Sequence, residues 1–112
     1  TRFAADDHRS FNRQGQAFDR GETFSGIDYE LGIELVEELA ELVPEGLSRA
    51  AFALRWITMF DAVSCAIPGA KRAEQVEENV AAADLPELPA ECMTAVRELY
   101  ERRVKEHVQY HW

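Results

Sequence analysis

Two adjacent cations, Lys71 and Arg72, follow Gly69-Ala70 directly in a chain otherwise rich in carboxylates. Ahead of them the run Val63-Ser64-Cys65-Ala66-Ile67 is stopped by Pro68-Gly69, and a helical stretch opens near Ala73. A short β-branched run ended by Pro-Gly reads as a strand. The junction from a strand end to a helix start presents backbone N–H groups and the positive end of the helix dipole, a setting that favours an anion. Gly69 leaves the backbone open to close approach, and Lys71 and Arg72 add positive charge at the same point. The chemistry this allows is capture of a phosphate-like group by binding. By residue type alone, two solvated charges ahead of an acidic helix account for the same pattern.

The remaining reactive side chains form no comparable group. His107 and His111 have the spacing of a helical pair, but no acid or Cys is placed with them or with His8, so no metal set is expected. Cys65, inside an apolar run, and Cys92, beside Met93, are expected to be buried free thiols that pack as small hydrophobes. This cysteine usage reads as cytoplasmic. Glu34, Glu37, Glu38 and Glu41 read as the solvent side of a helix and not as a catalytic dyad. Trp56 reads as core packing and Arg55 as half of a buried ion pair.

The elements that must position the Lys71 turn follow from periodicity. Residues 1–27 hold Gly15, Gly21 and Gly26 with Phe at 3, 11, 18 and 24, and read as one long ordered loop. A first helix is expected from Asp28, a plausible N-cap, to Val43, with Ile33, Val36, Ala40 and Val43 on one face. Pro44 and Gly46 end it. Ser48 caps a second helix, 49–60, which is apolar nearly all round and therefore expected to be buried on most sides. After the strand at 63–67, a third helix spans about 73–83 with Val76, Val80 and Ala83 inward. Pro89 suits the first turn of a last helix, with Met93, Val96, Tyr100 and Val104 on one stripe. No repeat or low-complexity segment interrupts these elements.

Composition bounds what such a chain can do. Its 112 residues make one domain or a piece of one. With 46% hydrophobic residues it can bury a core. A formal net charge of −9, from 12 basic and 21 acidic residues, argues against sequence-independent nucleic-acid binding and against docking on anionic lipid. No apolar run approaches the roughly 20 residues of a membrane span, and no signal-peptide pattern opens the chain. The polar, loop-like start at Thr1 reads as an internal position of a longer protein.

A single buried strand cannot satisfy its own backbone N–H and C=O groups. No second convincing strand exists here, so 63–67 requires neighbours. An apolar helix, a buried strand and an amphipathic helix in succession is the rhythm of a parallel α/β protein. The expected fold class is α/β, as the last repeat of a larger βα fold.

Three stretches carry a family resemblance: Phe52-Ala53-Leu54-Arg55-Trp56-Ile57, Ala66-Ile67-Pro68-Gly69-Ala70-Lys71-Arg72, and Glu74-Gln75-Val76-Glu77-Glu78-Asn79. In this order and spacing they resemble the C-terminal signature of the aldo-keto reductases. Asp6-Asp7-His8-Arg9-Ser10-Phe11-Asn12-Arg13 is similar to the loop that follows the seventh strand of those enzymes. The resemblance implies a (β/α)₈ TIM barrel, of which these residues supply the eighth strand and the helices around it. It implies NADP as cofactor, a small carbonyl substrate, and the remainder of the barrel as partner. In the family pattern the turn at Gly69 holds the 2′-phosphate of NADP, with Lys71 the main contact and Arg72 a lesser one. Gln75 would reach the adenosine ribose or phosphate, and Glu78 and Asn79 the adenine edge. Arg9 is a weaker candidate for covering the cofactor. The family's catalytic Asp, Tyr, Lys and His lie on earlier strands, and Tyr29, Tyr100 and Tyr110 do not match that pattern. The bland readings stay beside these: Glu78 as surface, and Asn79 as a helix-to-loop hydrogen bond. An alternative reading of the whole is a mostly helical interaction module, derived from a reductase but without catalysis, that binds through the 49–60 helix and the strand edge.

Overall fold

The computed structural model describes residues 3–17 and 26–109. Phe18, Gly21, Phe24, Tyr110 and His111 lie outside the described residues. The chain divides into two compact units, Thr1–Glu41 with Val96–Trp112, and Leu42–Ala95. In order, the helices are α1 (His8–Phe11), α2 (Tyr29–Ala40), α3 (Arg49–Thr58), α4 (Ala73–Ala81), α5 (Ala90–Leu99) and α6 (Lys105–Val108). A 3₁₀ turn, Ala82–Asp84, follows α4, and a π-helical turn, Tyr100–Val104, joins α5 to α6.

In the first unit the loop before α2 is organised by Asn12, which is 0% exposed. Its Oδ1 accepts from the Ala17 amide at 2.9 Å, and its carbonyl accepts from Gly15 N–H at 3.1 Å. Asp28 caps α2 as its residue type requires, accepting from the amides of Glu30 and Leu31. The helix ends at Ala40, three residues before the expected Val43. Pro44 disfavours helical backbone at the residue before it, and Gly46 then takes φ +86° to turn the chain. Glu34 and Glu38 are not simply solvated. Arg103 reaches Glu34 at 2.9 Å and Glu38 at 2.6 Å, and Arg102 reaches Glu38 at 3.2 Å. Leu35, Leu99 and Val108 form the buried apolar set of this unit. Leu99 is buried while Tyr100 is exposed, so the last helix does not turn the expected stripe residue inward.

In the second unit Ser48 caps α3, its Oγ accepting from Ala51 N–H at 3.1 Å. Phe52, 1% exposed, is the centre of the core, with Ala51, Ala82 and Leu88. Helices α3 and α4 and the 3₁₀ turn pack on one another. The connector before α5 is pinned to the end of α3: Arg55 Nε donates to the Pro86 carbonyl at 3.1 Å, and Leu88 N–H to the Met59 sulfur at 3.2 Å. Arg55 therefore binds a backbone carbonyl, and no ion pair of its side chain occurs among the described residues. Trp56 packs edge-on against Phe60 at 4.8 Å, with its Nε1 buried and without a hydrogen-bond partner among the described residues.

The segment expected as a buried strand differs most. Among the described residues no strand is present, and 63–70 is irregular. Ile67 is 94% exposed, and Val76 and Val80 of α4, expected inward, are 51% and 66% exposed. The cause is the one that made the strand problematic in the sequence: an extended segment without neighbours has nothing to pair with. Both apolar faces that would sandwich it remain open, and Ala82 takes the inward position on the α4 side.

Candidate cofactor-binding site

The Lys71 turn belongs to the second unit and is held by the first turn of α4. Gln75, the third residue of that helix, accepts through Oε1 from the amides of Lys71 at 2.8 Å and Arg72 at 3.2 Å. The Gln75 and Val76 amides donate back to the Arg72 carbonyl at 3.2 and 3.4 Å. This is half of a capping box. The other half needs an acceptor on the capping side chain, and the Arg72 guanidinium has none. The amides of Ala73 and Glu74 precede the first intrahelical bond and have no acceptor within the helix.

Gly69 has no left-handed backbone, unlike Gly15, Gly26 and Gly46. A Cβ at position 69 would meet nothing within 4 Å. Neither the backbone nor the packing of the described residues demands glycine there. The side chains of Lys71 and Arg72 are exposed. Arg72 stands 3.9 Å from Glu74, with both groups largely in solvent, an ion pair of little energetic consequence.

Glu78 and Asn79 diverge, as successive helical residues must. Glu78 accepts a hydrogen bond from the Ser48 hydroxyl, across to the start of α3. Asn79 lines a largely apolar groove of about 480 Å³ between α3, α4 and residues 64–70, with Leu54, Thr58, Val76 and Val80. The structure thus brings Gly69, Lys71 and Gln75 together, and places Glu78 and Asn79 on different sides of α4. The Ser48 partner of Glu78 is a residue the sequence marked only as a helix cap.

Arg9 belongs to the first unit and is already engaged. Its Nε and one terminal nitrogen donate to the two oxygens of Asp7 at 2.9 and 2.8 Å, and its guanidinium lies over the Phe3 ring at 4.2 Å. The hydrogen bond to the Asp7 carboxylate holds the Arg9 pKa above its ordinary value, against a smaller opposing effect of desolvation.

Both cysteines are free thiols. Cys65 is exposed rather than buried, because the strand it was expected to occupy is not formed. Cys92 is partly buried, its Sγ donating to the Leu42 carbonyl at 3.5 Å. Among the described residues no group of three His, Cys, Asp or Glu side chains could hold a metal ion, and no helix is long and apolar enough to cross a membrane.

The family model for the aldo/keto reductase family matches residues 2–101. The chain belongs to the aldo/keto reductase family. No curated protein and no solved structure matched it at the significance required. Membership makes the chain part of a family of oxidoreductases that use nicotinamide cofactors, with a fold derived from the (β/α)₈ barrel. The match covers all three stretches that carried the resemblance, the Lys71 turn included.

Proposed function

We propose that this aldo/keto reductase chain holds the adenosine 2′-phosphate end of NADP(H). The observation that carries the reading is the turn at 69–72. It combines an open backbone at Gly69, two exposed cations at Lys71 and Arg72, and the helix-start amides of Ala73 and Glu74, which have no acceptor within the helix, all inside the family match. These features suit a phosphate: charge-assisted donors from Lys71, N–H groups at the helix start, and room beside a residue without a side chain. Arg72 adds positive potential that the exposed Glu74 partly offsets.

In this reading Lys71 distinguishes NADP from NAD, since only the former carries the 2′-phosphate. Asn79, with both donor and acceptor groups, is assigned to the adenine edge; Glu78, bonded to Ser48 on another side of α4, reaches that edge only if this bond is exchanged for the ligand. When bound, the nicotinamide supplies the hydride that reduces a small carbonyl substrate. This chain's own residues bind and orient the far end of the molecule, and none of them is assigned to proton transfer. The open groove beside 64–70 is where we place the neighbouring strands of a barrel, with these residues as its C-terminal part.

The test is titration of isotope-labelled protein with adenosine 2′-phosphate and with adenosine, followed by amide resonances. The phosphate compound should shift residues 69–75 at concentrations where adenosine does not. Equal effects of both compounds, or shifts confined to other segments, would remove the basis for the reading.

A further inference from the structure

Helix α6 is joined to α5 through the π-helical turn Tyr100–Val104. At its end the Lys105 amide donates to the Tyr100 carbonyl, five residues back instead of four. The extra residue in such a turn bends a helix, and turns of this kind gather at functional positions. Arg102 and Arg103, inside the turn, both reach α2. Arg103 Nη1 donates to Glu38 Oε1 at 2.6 Å and its Nη2 to Glu34 Oε2 at 2.9 Å, while Arg102 Nη2 donates to Glu38 Oε2 at 3.2 Å. Glu34 and Glu38 stand one helical turn apart, so the fork of one planar guanidinium spans the pair. Arg103 and Glu38 are 32% and 34% exposed, so the centre of the group is shielded from full solvent. Helix α6 has four residues, of which Val108 is the buried one. A helix that short has almost no stability of its own. It is held by Val108 and by the charged hydrogen bonds at the turn before it. Both arginines lie beyond the family match, which ends at residue 101.

We propose that residues 100–108 form a strap, hinged at the π-helical turn and latched to α2 by an ionic clasp of Arg102 and Arg103 on Glu34 and Glu38, which ionic strength releases. Isolated surface ion pairs are worth little, but here one carboxylate serves two guanidinium groups and one guanidinium serves two carboxylates, and networks are the exception. Salt screens the clasp and does not act in that way on the burial of Val108. The pair Lys105–Glu101, at 2.6 Å, lies within the strap and does not cross to α2, so it provides an internal comparison.

The experiment is amide hydrogen exchange in the full chain between about 0.01 M and about 1 M sodium chloride, over which the screening length falls from about 30 to about 3 Å. The reporters are the amides of Lys105 and Gln109, bonded to the carbonyls of Tyr100 and Lys105. They are scored against the Phe52 amide, bonded to the Ser48 carbonyl in the other unit. In wild type the reporters should exchange about fivefold faster in high salt relative to Phe52, the scale of a small ion-pair network. Glu38→Gln should reach that faster rate already in low salt and lose most of the salt response. Arg103→Gln should do the same, and the double variant should be no faster than either single one, as expected when both act in one clasp. Glu101→Gln should behave as wild type. Wild-type exchange that ignores salt would overturn the proposal. So would a full salt response surviving in Glu38→Gln. A Glu101→Gln variant as fast as Glu38→Gln would also overturn it, by placing the stabilisation within the strap.

Discussion

The Ser48 hydroxyl donates to the Glu78 carboxylate and at the same time accepts from the Ala51 amide, so one side chain caps α3 and ties it to α4. Glu78 is thereby a structural residue whatever else it binds. Ser48→Ala removes both bonds and should destabilise the protein by about 1 kcal/mol, the usual loss for an N-cap. Glu78→Gln keeps an acceptor for the hydroxyl and should lose less. Urea denaturation of both variants is the check; equal and negligible losses would mean that the pair is incidental to stability.

Phe52 is the most buried apolar side chain of the described residues. Its replacement by Ala removes the centre of the α3–α4 packing and should destabilise by about 3–5 kcal/mol, the range for buried aromatic truncation. Phe52→Leu should recover most of that. A Phe52→Ala protein with an unchanged denaturation midpoint would contradict the assigned core.

The two thiols should differ in reactivity. The Cys92 pKa is raised by partial burial and by the negative charge of Glu91, so at any pH below it less of the reactive thiolate is present. Cys65 is exposed. Alkylation at neutral pH, followed by mass spectrometry of peptides, should therefore label Cys65 first. Raising the pH should narrow the gap as Cys92 deprotonates. Faster labelling of Cys92 would contradict both the exposure and the direction of its shift.

What the sequence made legible was local. Asp28 and Ser48 marked helix starts that the structure reproduces, because a capping side chain acts on amides two or three residues away. Lys71 and Gly69 marked an exposed turn before a helix, again within one local segment. Contacts at long separation were not legible: Glu38 with Arg102 and Arg103, Glu78 with Ser48, and Arg55 with the Pro86 carbonyl. Nothing in a carboxylate's immediate neighbours names a partner thirty or more residues away. The strand at 63–67 is not formed here, for a different reason. Its β-branched, apolar character is a demand for neighbouring strands, and a segment with that demand unmet stays irregular, leaving Ile67, Val76 and Val80 exposed. The structure does not form the strand, and the groove beside 64–70 stays open.

In the proposed function Lys71 reads the 2′-phosphate, and the most direct measurement compares NADPH and NADH affinity in wild type and Lys71→Ala. Loss of one charge-assisted hydrogen bond, about 1.5–3 kcal/mol, should weaken NADPH by roughly ten- to a hundredfold. NADH binding should stay within about twofold, since that ligand has no group for Lys71 to hold. An equal loss for the two cofactors, or none for either, would contradict the claim.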